Sequence, residues 1–213
     1  MISKKKVFIN GRLAVLGDKI TEKDVVEVRF TGKEKKLVYF VYNKPKGVTT
    51  HSAQGGEKDI KQDVSHSVAL RDAFPVGRLD RNSSGLLVLT NDGRITDSLL
   101  NPEFEHEKEY VVTVGEKLRS SFKKNMEGGV KIEGYITKPC KVKVLNENTF
   151  LVTLTEGKKH QIRRMCSALF QEVRELKRIR IMNVKLGDLP EGSFRPLQGE
   201  ELKTFLEGLG FKF

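Results

Sequence analysis

Gly77-Arg78-Leu79-Asp80-Arg81-Asn82-Ser83-Ser84-Gly85-Leu86-Leu87-Val88-Leu89-Thr90-Asn91-Asp92-Gly93 passes from a charged loop into an apolar run and out through a turn. Leu86 to Thr90 reads as a buried strand closed by Asn91-Asp92-Gly93. Asp80 stands just before that strand, flanked by Arg78 and Arg81. Cationic neighbours hold a carboxylate ionised, so Asp80 could act as a nucleophile or a base. A second reading is a capped turn, with Asp80 bonding local backbone N–H groups. A third is calcium, because Asp80, Asn82, Ser84 and Gly85 fall at positions 1, 3, 5 and 6 of an EF-hand loop. Position 12 would be Asn91, which lacks the bidentate carboxylate, and the flanks are strands, so calcium is set aside.

Upstream, Leu37-Val38-Tyr39-Phe40-Val41-Tyr42 is a second buried strand, ending at the turn Asn43-Lys44-Pro45-Lys46-Gly47. Thr49 to Asp72 is polar and reads as a long loop with one short helix. Downstream, a helix is expected from Arg94 to Leu100, stopping before Asn101-Pro102. A strand follows at Glu109 to Val114, then a helix through Leu118, Phe122 and Met126 that ends at Gly128-Gly129. Val130 to Ile136, Cys140 to Leu145, Phe150 to Leu154 and Glu172 to Asn183 are strand material. Ile162, Met165, Cys166 and Leu169 sit at i, i+3, i+4 and i+7 of a helix, and Leu202 to Leu209 forms the last one. The alternation is irregular and strand-rich, which predicts an α+β body around a mixed, mainly antiparallel sheet flanked by helices. Ahead of it, Val7 to Arg12 enters an Asn-Gly turn, and Leu16 to Ile20 and Asp24 to Val28 alternate as strands. About 30 residues are too few for an independent core. The expected division is therefore a small segment over 1–32, a linker over 33–36 and a main domain over 37–213.

The chain has 213 residues with 39 Lys plus Arg against 28 Asp plus Glu, a net charge of +11. Its 38% hydrophobic content is enough for a packed core, so the chain is not disordered as a whole. The uncharged run Leu37 to Asn43 is far short of a membrane span, and no N-terminal stretch has the shape of a signal peptide. Two cysteines, without zinc-knuckle spacing, fit a reducing cytoplasm and no metal. The positive balance points to a polyanion, and the residues cluster accordingly. Lys158, Lys159, His160, Arg163 and Arg164 crowd the start of an amphipathic helix, a natural phosphate or carboxylate site. Arg174, Lys177, Arg178 and Arg180 interleave with Leu176, Ile179 and Ile181, as a phosphate-tracking strand edge would, or a solvated edge guarded by cations. Tyr110 is either a base-stacking aromatic or a core residue of its strand. His51, His66 and His106 have no metal-ligand spacing.

In their order, these stretches resemble the RsuA/RluF-type bacterial ribosomal RNA pseudouridine synthases. The matching residues are Asn43-Lys44-Pro45-Lys46-Gly47, Gly77-Arg78-Leu79-Asp80 through Ser84-Gly85-Leu86-Leu87, Leu89-Thr90-Asn91-Asp92-Gly93, Lys108-Glu109-Tyr110 and Gln161-Ile162-Arg163-Arg164-Met165, with Arg180-Ile181 and Gly192, Arg195 and Leu197 also fitting. Met165-Cys166 and Arg180 to Val184 look closest to the large-subunit RluF branch. The resemblance implies isomerisation of uridine to pseudouridine in ribosomal RNA, on a flipped-out nucleotide, with no cofactor. It implies Asp80 as catalytic aspartate, Arg163 paired with it, and Tyr110 stacked on the uracil, where it could assist removal of the C5 proton. Arg78 would enter the RNA stack as the uridine leaves. Lys44, Lys46, Arg81, Lys158, Lys159, His160, Arg164, Arg178 and Arg180 would contact RNA. Val7 to Val28 is similar to the second half of an S4-type RNA-binding domain, and is expected to be truncated because only six residues precede Val7. A cytoplasmic monomer is expected.

Overall fold

The structure, a computed structural model, describes residues 2, 5–29, 36–51, 59–64 and 67–212. The expected linker lies outside them apart from Lys36, as do His66 and part of the Thr49 to Asp72 loop. The chain divides into two compact units, Met1–Lys36 and Leu37–Phe213.

The small unit is a three-stranded antiparallel sheet of β1 (Val7–Ile9), β2 (Arg12–Leu13) and β3 (Val26–Val28), in the order β2-β1-β3. Asn10 and Gly11 turn the β1–β2 hairpin with φ of 50° and 80°. Two consecutive positive φ values make a primed turn, which Asn-Gly adopts readily. Leu16 to Ile20 does not form the expected strand. The Asp18 carboxylate accepts bonds from the Val15 N–H at 2.8 Å and from Arg12 at 3.1 Å, and this draws the segment into a turn.

The large unit contains, in chain order, β4 (Tyr39–Lys44), α1 (Ile60–Asp63), β5 (Phe74–Val76), β6 (Ser84–Thr90), α2 (Ile95–Leu100), β7 (Lys108–Val114), α3 (Phe122–Glu127), β8 (Lys131–Ile132), β9 (Tyr135–Ile136), β10 (Lys141–Val144), β11 (Thr149–Leu154), α4 (Gln161–Ala168), β12 (Val173–Ile181), β13 (Val184–Lys185), β14 (Phe194–Pro196) and α5 (Gly199–Gly208). Its main sheet runs β10-β11-β7-β12-β6-β4-β14, with β13 beside β12 and β5 beside β6. Every pairing in it is antiparallel except one. β12 lies parallel to the start of β6, through Lys177↔Ser84 and Arg178↔Gly85. The sheet is thus two antiparallel half-sheets joined by a short parallel seam.

The core clusters are not fully divided by the seam: Ile181 of β12 and Val184 of β13 join the cluster under β4 and β6. Along β4 and β6, Tyr39, Val41, Leu86 and Val88 face a cluster covered by α2 and α5. The alternate residues Tyr42, Leu87 and Leu89 face a second cluster with Ile60, Leu70 and Leu79. Both faces of these strands are buried, which is why their sequences are continuous apolar runs rather than alternating ones. A fully buried Leu such as Leu87 contributes roughly 1.5–3 kcal/mol over an exposed one. The other half packs Phe150 and Val152 of β11 against Phe122 and Met126 of α3 and Ile162, Met165 and Cys166 of α4. Burial pushes the Cys166 thiol up to about 12, so it is an inert core group.

Candidate active site

The loop ahead of β6 is held by its neighbours rather than by itself. The buried Thr50 hydroxyl accepts from the Leu79 N–H at 3.1 Å and donates to the Leu79 carbonyl at 2.8 Å. The Leu79 side chain is fixed in the core. Gly47 N–H donates to the Arg81 carbonyl at 2.8 Å, so the Asn43–Gly47 turn braces the far side. Ser83 N–H donates to the Asp80 carbonyl at 3.0 Å and closes the turn on which Asp80 sits. Gly85 then enters β6 at φ 105°, where a Cβ would lie 2.2 Å from the Arg178 carbonyl oxygen. Only glycine lets the two strands approach so closely.

Asp80 therefore projects from a rigid turn into a cleft of about 780 Å³. The cleft is built from the 77–83 loop, the Thr49–His51 segment, the end of α2, the start of β7, the 154–160 loop and the middle of β12. Its Oδ2 lies 3.0 Å from His160 Nδ1. The carboxylate thus reaches across the cleft instead of capping its own turn. Tyr110 lines the same cleft from β7, and Arg78, Arg81, Lys158 and Lys159 ring it. Lys46 is exposed on the bracing turn. Burial, and then the charge of Arg178, push Lys108 down to about 8. His51 is held below its usual value by burial and then by Arg78.

Several expected roles are relocated. Arg163 does not pair with Asp80. Its guanidinium donates to the Asn82 carbonyl at 2.9 Å and the Val173 carbonyl at 3.1 Å, tying α4 to the Asp80 loop and to β12. The reason lies in the helix entry. His160 takes the left-handed conformation at φ 52°, before α4 starts at Gln161, so His160 meets the carboxylate. Arg163, three residues on, meets the loop's backbone. Lys44, expected to contact RNA, is fully buried and donates to the Pro45 and Val48 carbonyls at 2.9 and 2.6 Å, so it shapes the turn from inside. Arg164 pairs with Glu133 at 3.0 Å. Arg180 is shared by Glu107 at 3.0 Å and Glu109 at 3.4 Å, neutralised away from the cleft. Arg178 is no outer edge residue: it is 4% exposed and forms part of the cleft's floor.

The sequence reading missed three supports of the site. Thr50 sat in what reads only as a polar loop. Glu156 and Gln161 form a buried pair at 2.6 Å, and Gln161 also accepts from the Lys158 N–H at 2.9 Å, shaping the basic loop. Lys108 is two residues before Tyr110, and strand alternation puts both on one face. That spacing was visible in the sequence.

The description RNA pseudouridylate synthase belongs to the family model that matches residues 38–168. The chain is 41% identical over 205 residues to the dual-specificity RNA pseudouridine synthase RluF of Escherichia coli K12, covering 94% of this chain and 70% of that protein. It is 35% identical over 211 residues to the ribosomal large subunit pseudouridine synthase B of Bacillus subtilis, covering 95% and 86%. A crystal structure of a pseudouridylate synthase superposes with a TM-score of 0.74 at 30% identity, covering 98% of this chain and 90% of that one. Sequence likeness along nearly the whole chain and the matching fold agree: the chain belongs to the RNA pseudouridine synthases of the RsuA/RluF type, enzymes that isomerise uridine to pseudouridine.

Proposed function

We propose that this enzyme modifies ribosomal RNA, in the large subunit, at a uridine flipped into the cleft with Asp80 as its catalytic aspartate. The observation that carries the reading is the meeting of the Asp80 carboxylate and the Tyr110 ring in one cleft whose rim bears Arg78, Arg81, Lys158 and Lys159. The ring offers a stacking surface to an unstacked base. The rim cations bind the phosphates on either side and release counterions. Arg163 is a positioning residue, holding the turn that aims Asp80 through the Asn82 carbonyl. His160 holds the carboxylate until the nucleotide enters. The small unit is read as an S4-like RNA-binding segment, supported by its basic residues and its β-hairpin. The enzyme is taken to act as a monomer in the cytoplasm; among the described residues no helix is long and apolar enough to cross a membrane.

The test is chemical mapping of pseudouridine in total RNA from cells with the wild-type gene, with no gene, and with Asp80→Asn. The expected result is one or a few large-subunit sites that vanish without the gene and stay absent with Asp80→Asn. Sites confined to transfer RNA would move the substrate, and full modification by Asp80→Asn would remove Asp80 from the chemistry. On purified RNA the variant should lose on the order of 1,000-fold in rate while binding as wild type does.

A further inference from the structure

Isomerisation breaks the N1–C1′ bond and forms a C5–C1′ bond. When N1–C1′ opens, its electron pair leaves with the base. The detached uracil then carries a full negative charge shared among N1, O2 and O4. Asp80 accounts for the sugar, by bonding C1′ or by taking the 2′ proton. Closing C5–C1′ discharges the anion, as the Asp80–C1′ bond breaks or the 2′ proton returns and the carboxylate is regenerated. Transfer of the C5 proton to N1 completes the balance. Nothing in this account neutralises the base while it is free.

Among the described residues, two cations on the cleft floor make no ion pair. Lys108 shares a face of β7 with Tyr110, and its Nζ donates to the His106 carbonyl at 3.2 Å. Arg178 donates from Nε to the Leu86 carbonyl at 2.8 Å and from Nη1 to the Arg78 carbonyl at 3.5 Å. Its Nη2 is buried with no hydrogen-bond partner among the described residues. Its guanidinium carbon lies 6.0 Å from the Tyr110 ring centre. Among the described residues neither side chain has a carboxylate partner, although both line the cleft. Leaving a buried guanidinium and a half-buried ammonium unneutralised is costly, and an unmade bond on the guanidinium adds to that cost. Such a site gains most when an anion arrives.

We propose that Lys108 and Arg178 form the seat of the departing uracil anion, with a carbonyl oxygen accepting from Lys108 Nζ and the Arg178 guanidinium supplying its positive charge from the floor beneath. The inference rests on the pseudouridine synthase reading and adds the group that holds the base. A phosphate is the other anion with this chemistry, but the rim already supplies cations for phosphates. The seat lies deeper, beside the ring that would stack on the base.

Single-turnover cleavage by wild type and Lys108→Met should be compared on target RNA carrying uridine or 5-fluorouridine at the modified position. Fluorine makes the departing base a weaker base, so it needs less stabilisation. Lys108→Met should cleave the uridine substrate about 100-fold more slowly, with KM within about 3-fold. On 5-fluorouridine the defect should shrink to about 10-fold. Lys108→Arg should restore most of the rate, and Arg178→Lys should show the same leaving-group dependence in milder form. An equal defect on both substrates, or an unchanged rate in Lys108→Met, would overturn the proposal. A raised KM with a shallower salt dependence and unchanged cleavage would make the site a phosphate contact instead. The defect is a ratio between two substrates of one protein, so loss of folded enzyme cancels; should Lys108→Met not fold, Lys108→Gln supplies the same ratio. A wild-type enzyme that forms no pseudouridine in any RNA would remove the reading beneath the proposal, whereas an active wild type with an indifferent Lys108→Met removes the anion seat alone.

Discussion

The two faces of the β7–β12 pair carry similar charges to opposite ends. On the face away from the cleft, Arg180 meets Glu107 and Glu109, and Glu107 also meets Lys141 at 2.8 Å. On the cleft face, Lys108 and Arg178 stand beside Tyr110 with no carboxylate partner among the described residues. Alternation turns Glu109 away from Lys108 and Tyr110, and a register shift between Arg178 and Arg180 places those two, which alternation would leave on one face, opposite Tyr110 and Glu109 respectively. A neutralised network contributes to holding strands together. An unneutralised one keeps its field for a ligand. Charge counted along the chain cannot distinguish the two, because the difference lies in the partners.

The comparison can be broken at several points. Beyond Asp80→Asn and Lys108→Met, the largest effect is expected at the brace behind the cleft face. Arg163→Ala frees the Asn82 carbonyl and should slow turnover by about 10–100-fold, with Asp80 no longer aimed. A normal rate with normal stability would show that the loop aims itself through Thr50 and Gly47. On the neutralised face, Arg180→Ala should leave turnover within about 3-fold and lower stability by about 1 kcal/mol, measured by denaturant unfolding. A large rate defect with unchanged stability would mean that this face also serves RNA. The smallest effect belongs to the rim. Changing Lys158 and Lys159 to Ala should reduce the slope of log affinity against log salt by about 0.7–0.9 per charge removed. Arg180→Ala should not change that slope, and a matching change would erase the distinction between the faces.

Much of this was legible in the sequence, for physical reasons that differ by region. Strands β4 and β6 are buried on both faces, so they announce themselves as uncharged runs between turn residues. The Asn10-Gly11 turn announces itself because few other pairs accept two positive φ values. Leu16 to Ile20 misled because a carboxylate, Asp18, supplies the bonds that a neighbouring strand would otherwise supply. Of the site, Asp80, Tyr110 and the basic loop were readable as an ordered set of motifs. The fates of the cations were not. Arg180 is neutralised by residues 71 and 73 positions away, and Arg178 bonds a carbonyl 92 positions away. His160, in the left-handed conformation at the entry to α4, stands beside Asp80 where Arg163 was expected, and Arg163 bonds backbone carbonyls instead.

The parallel seam between β12 and β6 has a mechanical meaning. Two antiparallel half-sheets meet there through two register pairs, Lys177↔Ser84 and Arg178↔Gly85, and share the core cluster that holds Ile181. The long pairings on either side, β4 with β6 and β7 with β12, are stiff by comparison. The seam lies under the cleft, whose walls come from both halves. The Arg178 guanidinium bonds the Leu86 carbonyl across this joint and adds a rung that the backbone does not make. Arg178 is thus at once a side chain of the cleft floor and a tie between the halves, so a change to it alters the sheet as well as the cleft.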